Sequence, residues 1–449
     1  MHPQHPLWND LVDWLASHGM SVDNFHVQAR LRSADTGYGL YATCPVPPSR
    51  PLFTVPASAL PNVLTLSPYY PSSDGVLTAV QLISLHLALY RPKAGEKSPD
   101  PLFGPYISVL PRDFAFHPLS WLRRRDHGLL PCLNETKWIE MLPMNVTRSL
   151  NKVSERFETD WKQVTDYLQA QSALYELFNK ACPGAIEKEM QFLWAWLNVN
   201  TRCVYHRIRK SPSDPDNISL CPVLDFANHT TSGPHMTPML HLPGTGNITL
   251  ISPAQLSVQK DEEMYLIYGG HSNKALFVEY GFLLRASAEA LANGHPLGEL
   301  DVQAWVEELF RQRRRAGSQM KDILVKEGYW GDWTMHSTPA PAHPSFRLVT
   351  ALRLYHVTSL SQDEVEAWRE TLLGTRDYVS DINEKQWRKT LVEICSRAEV
   401  EAEKGLVRAC GEVCDEWERE MQGNIAELWA EQQRVASGVR SSVEQGIAF

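Results

Sequence analysis

Strand-like and helix-like patterning is segregated along this chain, and that limits its fold more than any other feature. Short extended pieces run over 25–60, broken by Pro45, Pro47, Pro48, Pro51 and Pro56, and return over 218–284. A doubly wound sheet needs strands and helices in alternation, so the pattern predicts an α+β fold whose sheet is split by a helical insert. Leu7, Trp8, Leu11, Val12 and Leu15 sit at helical spacing and Gly19 closes the run. Val76–Tyr90, 134–181 and Glu187–Arg207 read as further helices, the last carrying an aromatic stripe of core type, Phe192, Trp194 and Trp196. After Ala286 come the helices Leu297–Arg315 and Ser345–Val357, a Gly/Trp/Pro loop over Gly328–Pro344, and long charged amphipathic helices over 363–429. The expectation is an all-helical C-terminal domain with a boundary near 285–300 and a frayed tail after Ala436.

Two segments concentrate the chemistry. Pro222–Thr230 sets Asp225, Asn228 and His229 on one tight stretch after an apolar run that reads as a buried strand over Ser219–Leu224. Glu262–Leu284 runs from a strand-like Met264–Ile267 into Tyr268-Gly269-Gly270, then a short helix begun by Ser272-Asn273, then Tyr280-Gly281-Phe282. Polar groups beside a tyrosine on a glycine turn, with a second tyrosine soon after, suit a pocket for a polar small molecule with an aromatic wall. Plainer readings compete: Asp225 and Asn228 can cap a turn, and Tyr280 and Phe282 can be core. Arg202 ends an aromatic-rich helix, where a cation also suits the helix dipole. Gly37-Tyr38-Gly39 lacks the third glycine and the following helix of a dinucleotide fingerprint. It is either a hairpin turn or a place where backbone approaches a ligand. Met239–Leu242 and Ile248–Ser252 flank Pro243-Gly244-Thr245-Gly246, a hairpin by its turn chemistry.

Bulk properties exclude several classes. The formal charge of −9 over 449 residues offers no broad attraction to nucleic acid or anionic lipid. Arg123-Arg124-Arg125 and Arg311–Arg315 read as solvated helix faces. No apolar run reaches the roughly 18–20 residues of a membrane span, and the N-terminus has no basic or apolar signal region. The eight cysteines are scattered. Cys410 and Cys414 lie one turn apart with no second pair near by, so reduced cysteines of an intracellular protein are expected, and no metal site.

Five motifs in order carry a family resemblance across most of the chain. Gly37-Tyr38-Gly39-Leu40, then Pro105-Tyr106 with Leu110-Pro111, then Trp194-Ala195-Trp196 with Thr201-Arg202, then Asp225-x-x-Asn228-His229, then Tyr268-Gly269 with Ser272-Asn273 and Tyr280-Gly281-Phe282 resemble the SET-domain protein methyltransferases. The likeness is to the branch of plant Rubisco large-subunit lysine methyltransferase and the fungal ribosomal-protein lysine methyltransferases. The sequence departs from that pattern at Asp261, where a glycine is usual, and at Thr201, where serine is common.

The resemblance implies a SET-domain β-fold in two parts, 1–90 and 201–285, an insert over 91–200, and a substrate-binding-like domain over 286–449. It implies S-adenosyl-L-methionine as cofactor and a target lysine on a protein substrate. Gly37, Tyr38, Gly39, Arg202, Asp225, Asn228, His229 and Tyr268 would then hold the cofactor. Arg202 would serve its carboxylate, Asn228 would offer side-chain amide and carbonyl groups to its amino-acid end, and backbone near His229 would meet the adenine. Tyr268 would be catalytic, and Val204, Tyr268, Tyr280 and Phe282 would line the substrate channel. Ribosomal proteins or translation factors are the expected targets, in cytoplasm, nucleus or both, by a monomer that needs no metal, nucleic acid or membrane. One branch methylates actin histidine and carries an asparagine where Val204 stands; it also lacks the tyrosine present here as Tyr280, and both differences point to lysine. A catalytically silent SET-fold scaffold is the alternative from another class.

Overall fold

The computed structural model describes residues 2–23, 25–33, 37–70, 77–129, 133–231, 233–240, 246–286, 298–411 and 416–449. They form two compact units, one of residues 1–115 and 153–271, the other of 116–152 and 272–449. These units cut across the linear division at 90, 200 and 285, because 116–152 packs with the C-terminal part of the chain. Patterning along a sequence orders elements but does not say which of them share a core.

In the first unit the strands run from two to seven residues. The hairpin β1 (Val27–Ser33) and β2 (Gly37–Ala42) is antiparallel, with Arg30 opposite Gly39. β3 (Pro51–Val55) pairs with a strand two hundred residues away: in the sheet β3-β7-β6, Val55 faces Ile248 of β7 (Ile248–Ile251). β6 (Thr237–Leu240) completes that sheet, with Met239 opposite Thr249. The split sheet read from the sequence is therefore real. The turn chemistry at Pro243–Thr245 lies outside the described residues, although the strands it joins do pair. β4 (Val204–Tyr205) and β5 (Ile218–Ser219) make a two-residue ladder. The buried strand expected over Ser219–Leu224 is only β5, because the chain winds into a 3-10 turn at Leu224–Phe226.

Helices of this unit follow their apolar spacing. Trp8–Ser17 buries Trp8, Leu11 and Leu15. Ala79–Leu89 is buried almost all round and starts at a reciprocal cap between Thr78 and Gln81. It packs on Ala185–Arg202, which buries Phe192, Leu193, Trp194, Trp196 and Leu197. The indoles keep their polar edges satisfied: Trp194 Nε1 donates to the Pro111 carbonyl at 2.7 Å and Trp196 Nε1 to Asp160 at 2.8 Å. That pair of bonds fixes the helix whose last residue is Arg202.

The second unit is mainly helical, but it is not all-helical. β8 (Glu299–Asp301), β9 (Thr334–His336) and β10 (His343–Pro344) form a small antiparallel sheet in the order β10-β9-β8. The Gly/Trp/Pro stretch thus contains strands as well as loop. Pieces of two or three residues are too short to show a period of two. Around them pack Gln303–Gln312, Arg314–Lys326, Phe346–Tyr355, Gln362–Leu372, Asp381–Ala409 and Glu416–Glu444. The last helix continues well past Ala436, with Val439 and Ser442 buried, so the expected fraying is overturned by packing. Cys410 is a free, exposed cysteine, and Cys414 is outside the described residues.

Candidate active site

The chain folds back on itself around 262–268. This stretch is extended, yet its hydrogen bonds alternate between two neighbours, so no regular strand forms over Met264–Ile267. Ala42 N–H donates to the Glu262 carbonyl at 3.0 Å and Met264 N–H to the Leu40 carbonyl at 2.7 Å, which ties it to β2. Leu266 N–H donates to the Asn228 carbonyl at 2.8 Å and Thr230 N–H to the Leu266 carbonyl at 2.9 Å, a parallel bridge between Leu266 and His229. The segment at 262–268 therefore carries the Asn228-His229 turn to the face of the Gly37–Ala42 strand. Asp261 begins it with a φ of +69°, the conformation that glycine takes freely and aspartate tolerates. Its carboxylate meets Arg30 Nη1 at 2.5 Å. The missing glycine is thus replaced without loss of the turn.

Asn228 reaches the strand directly. Its Nδ2 donates to the Tyr38 carbonyl at 3.3 Å and to Glu263 Oε1 at 2.7 Å. Gly39 is the residue that lets them close: a Cβ there would stand 2.5 Å from Glu263 Oε1 and 3.1 Å from Asn228 Nδ2. Gly37-Tyr38-Gly39 thus lies in the second strand of a hairpin, and the groups that come close to Gly39 are side chains of this chain. Tyr38 also packs its ring on His5, with centroids 4.5 Å apart.

A second cluster joins Arg202 to Asp225. Arg202 Nη1 donates to the Asp225 backbone carbonyl at 2.7 Å, and the Tyr106 hydroxyl donates to Asp225 Oδ2 at 2.8 Å. Burial pushes the Asp225 carboxyl above its ordinary pKa, opposed by the Arg202 charge and the Tyr106 bond. Arg202 Nε and Asp225 Oδ1 are shielded from solvent and have no hydrogen-bond partner among the described residues. Two residues earlier, Val223 holds a φ of +72°, a value costly for a β-branched side chain, so strain is stored beside Asp225.

The third group is His229 with Tyr268. Their rings stack with centroids 5.1 Å apart, Tyr268 N–H donates to His229 Nδ1 at 3.1 Å, and the Tyr268 hydroxyl donates to the Ala227 carbonyl at 2.8 Å. Burial, with a smaller effect of His271, holds the His229 pKa below its ordinary value. The imidazole is thus neutral at pH 7. Val204 is half-buried in β4, opposite Ser219.

Tyr280 and Phe282 belong to the other unit. Tyr280 ends the helix Asn273–Tyr280, and Gly281, at φ +82°, receives it with bonds to the Leu276 and Phe277 carbonyls. A side chain at Gly281 would strike Phe116, at 2.8 Å. The rings of Tyr280 and Phe282 meet edge to face at 6.1 Å, and burial raises the Tyr280 pKa.

Tyr106 and Glu263 are the polar residues that the sequence did not single out for the site. Tyr106 was visible only as part of a motif, and Glu263 only as one of an acidic pair. Their partners come from distant parts of the chain, 119 and 35 residues away. Among the described residues no cluster of His, Cys, Asp or Glu could hold a metal ion.

No family model matches the chain. It is 26% identical to SET domain-containing protein 4 of Mus musculus over 80% of this chain and 74% of that one. It is likewise 26% identical to ribosomal lysine N-methyltransferase set11 of Schizosaccharomyces pombe, over 88% of each. Among solved structures, the SET domain of LSMT bound to lysine and AdoHcy superposes with a TM-score of 0.66 at 17% identity, over 98% of this chain and 92% of that one. The chain is a SET-domain homologue. Its resemblance to the Rubisco methyltransferase and fungal ribosomal lysine methyltransferase branch is carried by both kinds of comparison.

The SET-domain cofactor can be tested against these residues. S-adenosyl-L-methionine ends in a carboxylate and an ammonium. A buried guanidinium N–H without a partner suits the first, and buried carboxylate oxygen without a partner suits the second. The donor set fits. One expectation changes: both N–H groups of Asn228 are directed at Tyr38 and Glu263, so its side chain has only the carbonyl to offer.

Proposed function

We propose that this SET-domain chain transfers the methyl group of S-adenosyl-L-methionine to a lysine side chain of a protein. The observation that carries the reading is the shielded, unpartnered pair of Arg202 Nε and Asp225 Oδ1 in the same unit as the tethered Tyr268 hydroxyl. Arg202 and Asp225 would hold the amino-acid end, with Asn228; Gly37, Tyr38 and Gly39 would form the adjoining wall, and backbone near His229 would meet the adenine. When bound, the cofactor supplies an electrophilic methyl on a positively charged sulfur.

The protein's part is alignment and exclusion of water. The Tyr268 hydroxyl donates to Ala227, so toward an incoming amine its oxygen acts as acceptor. A lysine of reference pKa about 10.4 must arrive neutral. Desolvation and a neighbouring positive charge lower that value, so no strong base is required. His229, held neutral by burial, orders the Tyr268 backbone without adding a charge. Val204 and Tyr268 would contact the incoming side chain; for Tyr280, Phe282 and residues 286–449, a part in substrate binding is what the family resemblance implies. The apolar Val204 and the presence of Tyr280 favour lysine over histidine. The Schizosaccharomyces pombe relative is by its name a ribosomal lysine N-methyltransferase, so a ribosomal protein or translation factor is the proposed target, in cytoplasm or nucleus, with the enzyme acting as a monomer. Among the described residues no helix is long and apolar enough to cross a membrane.

Isothermal titration with S-adenosyl-L-methionine tests the reading. Saturable binding, weakened at least tenfold in Arg202→Ala, is expected, since hydrogen bonds to a charged group contribute about 1.5–3 kcal/mol. Transfer of labelled methyl to lysine in cell extract should follow. A folded wild-type protein that does not bind the cofactor would leave the scaffold reading in its place.

A further inference from the structure

The Glu263 carboxylate is held by three donors. Asn228 Nδ2 reaches Oε1 at 2.7 Å, while the Tyr265 hydroxyl at 2.8 Å and Arg32 Nε at 3.1 Å reach Oε2. Its side chain is 9% exposed. Such a carboxylate has no freedom to turn away, and an ionised carboxylate only accepts hydrogen bonds. The Tyr38 carbonyl, the other partner of Asn228 Nδ2, also only accepts.

Those two acceptors settle which way the Asn228 amide points. With its nitrogen turned to Glu263 and Tyr38, its Oδ1 is turned away from them, and no donor among the described residues bonds that oxygen. Gly39 is the independent sign that this contact is built in, because any side chain there would displace Glu263 Oε1. We propose that Glu263 is a positioning residue: it locks the Asn228 amide with its carbonyl presented to the site, so that the site demands a hydrogen-bond donor, the α-ammonium of the cofactor's amino-acid moiety, at that point. Glu263 itself touches no ligand. The inference rests on the cofactor assignment made above and adds to it the residue that sets amino-acid recognition.

The test uses the full chain and two probes in calorimetric titration. S-adenosyl-L-homocysteine carries the α-ammonium; 5′-methylthioadenosine shares the adenosine and sulfur but lacks the amino-acid end. In Glu263→Gln, a near-isosteric change, the amide at 263 can donate as well as accept, and the Asn228 amide loses its fixed sense. Affinity for S-adenosyl-L-homocysteine should fall about tenfold, while that for 5′-methylthioadenosine stays within twofold of wild type. Asn228→Ala should lose the same discrimination, and adding Glu263→Gln to it should cost nothing further, because Glu263 acts only through Asn228. Equal weakening of both probes would assign Glu263 a merely structural role and overturn the proposal. So would unchanged affinity for S-adenosyl-L-homocysteine, or additive losses in the double variant. If Glu263→Gln does not fold, Tyr265→Phe removes one restraint on the carboxylate, and a selective loss of two- to threefold for S-adenosyl-L-homocysteine replaces it, with no change again refuting the idea. Failure of the wild-type protein to bind either probe would sink the cofactor assignment instead.

Discussion

The two units of this protein are held together in different ways. The second rests on bulk burial: Trp305, Phe310, Trp333, Trp368 and Trp387 share one core with Leu348, Leu352, Leu391 and Ile394. The site region of the first rests on single directional bonds, each joining irregular segments far apart in sequence, as Tyr106 does to Asp225 and Asn228 does to Glu263. Burial is roughly proportional to area and tolerates adjustment. A directional bond either forms or leaves a buried polar group without a partner. The contrast teaches that the same chain keeps its bulk by redundancy and its site by specific contacts, so equal-sized cuts should have unlike consequences.

The largest effect should come from the apolar side. Trp333 is fully buried, stacks on Phe310 at 6.0 Å and meets Trp330 edge to face at 4.9 Å. Trp333→Ala should destabilise by about 3–5 kcal/mol, as large aromatic truncations do. Denaturant unfolding will show it, while cofactor affinity of the folded variant should be unchanged. A much smaller loss would mean that the core collapses around the gap more freely than its packing suggests.

That contrast also explains what the sequence discloses. Periodicity reveals burial, so Leu11, Trp196 and the helices of the second unit were legible, as was the split of the sheet. The pieces β8, β9 and β10 were not, being two or three residues long inside a helical neighbourhood. Candidate site residues were named through ordered motifs, and Arg202, Asp225, Asn228, His229 and Tyr268 all fall in one unit. Their partners did not. Nothing in one dimension says that the carboxylate of Glu263, rather than Glu262, turns to Asn228, or that Asn228 thereby gives up its donors. Asn228 was expected to offer both amide and carbonyl, and the difference is a matter of a tertiary contact.

An exception inside the apolar unit sharpens the comparison. His117 is wholly buried, accepts the Leu119 N–H on Nδ1 at 3.2 Å and faces the Glu279 carbonyl with Nε2 at 3.2 Å. Burial pushes its pKa down to about 4 from 6.5. The folded state therefore keeps it neutral where the unfolded chain would protonate it. Its contribution is complete above pH 6.5 and is lost as pH falls toward 4, to a limit of about 3 kcal/mol. His5 and His356, also lowered to about 4, act in the same window. His117→Asn keeps a cap for Leu119 and should flatten the acid limb of stability against pH by one proton's share. An unchanged slope would show that His117 is solvated on opening well before global unfolding.

On the directional side, Tyr106→Phe removes one hydroxyl and no volume to speak of. It should cost about 1–3 kcal/mol by leaving Asp225 Oδ2 buried without its donor. The Tyr106 bond opposes the upward push of burial on the Asp225 carboxyl, so the variant's carboxyl should titrate still higher. The penalty should consequently be largest at neutral pH and shrink in acid as Asp225 takes up a proton. A pH-independent loss would mean that Tyr106 acts by packing alone.

The smallest effect is expected at Asp261, where the two kinds of support can be weighed against each other at one surface position. The residue stands at φ +69° and is about half exposed, with Arg30 beside it. Asp261→Gly would relieve the conformational cost of a side chain in the left-handed region. It would also remove an ion pair whose arginine is largely buried but whose aspartate is about half exposed, so that water can replace the carboxylate beside Arg30. The two changes have opposite signs and both are small, so the midpoint of thermal unfolding should stay where it is. The Arg30 attraction lowers the Asp261 pKa, so whatever the pair adds is present above the ordinary carboxylate range and lost as pH falls through the lowered value. A glycine variant that is distinctly less stable at pH 7 and equal to wild type in acid would show that this turn, too, depends on its directional bond rather than on its backbone.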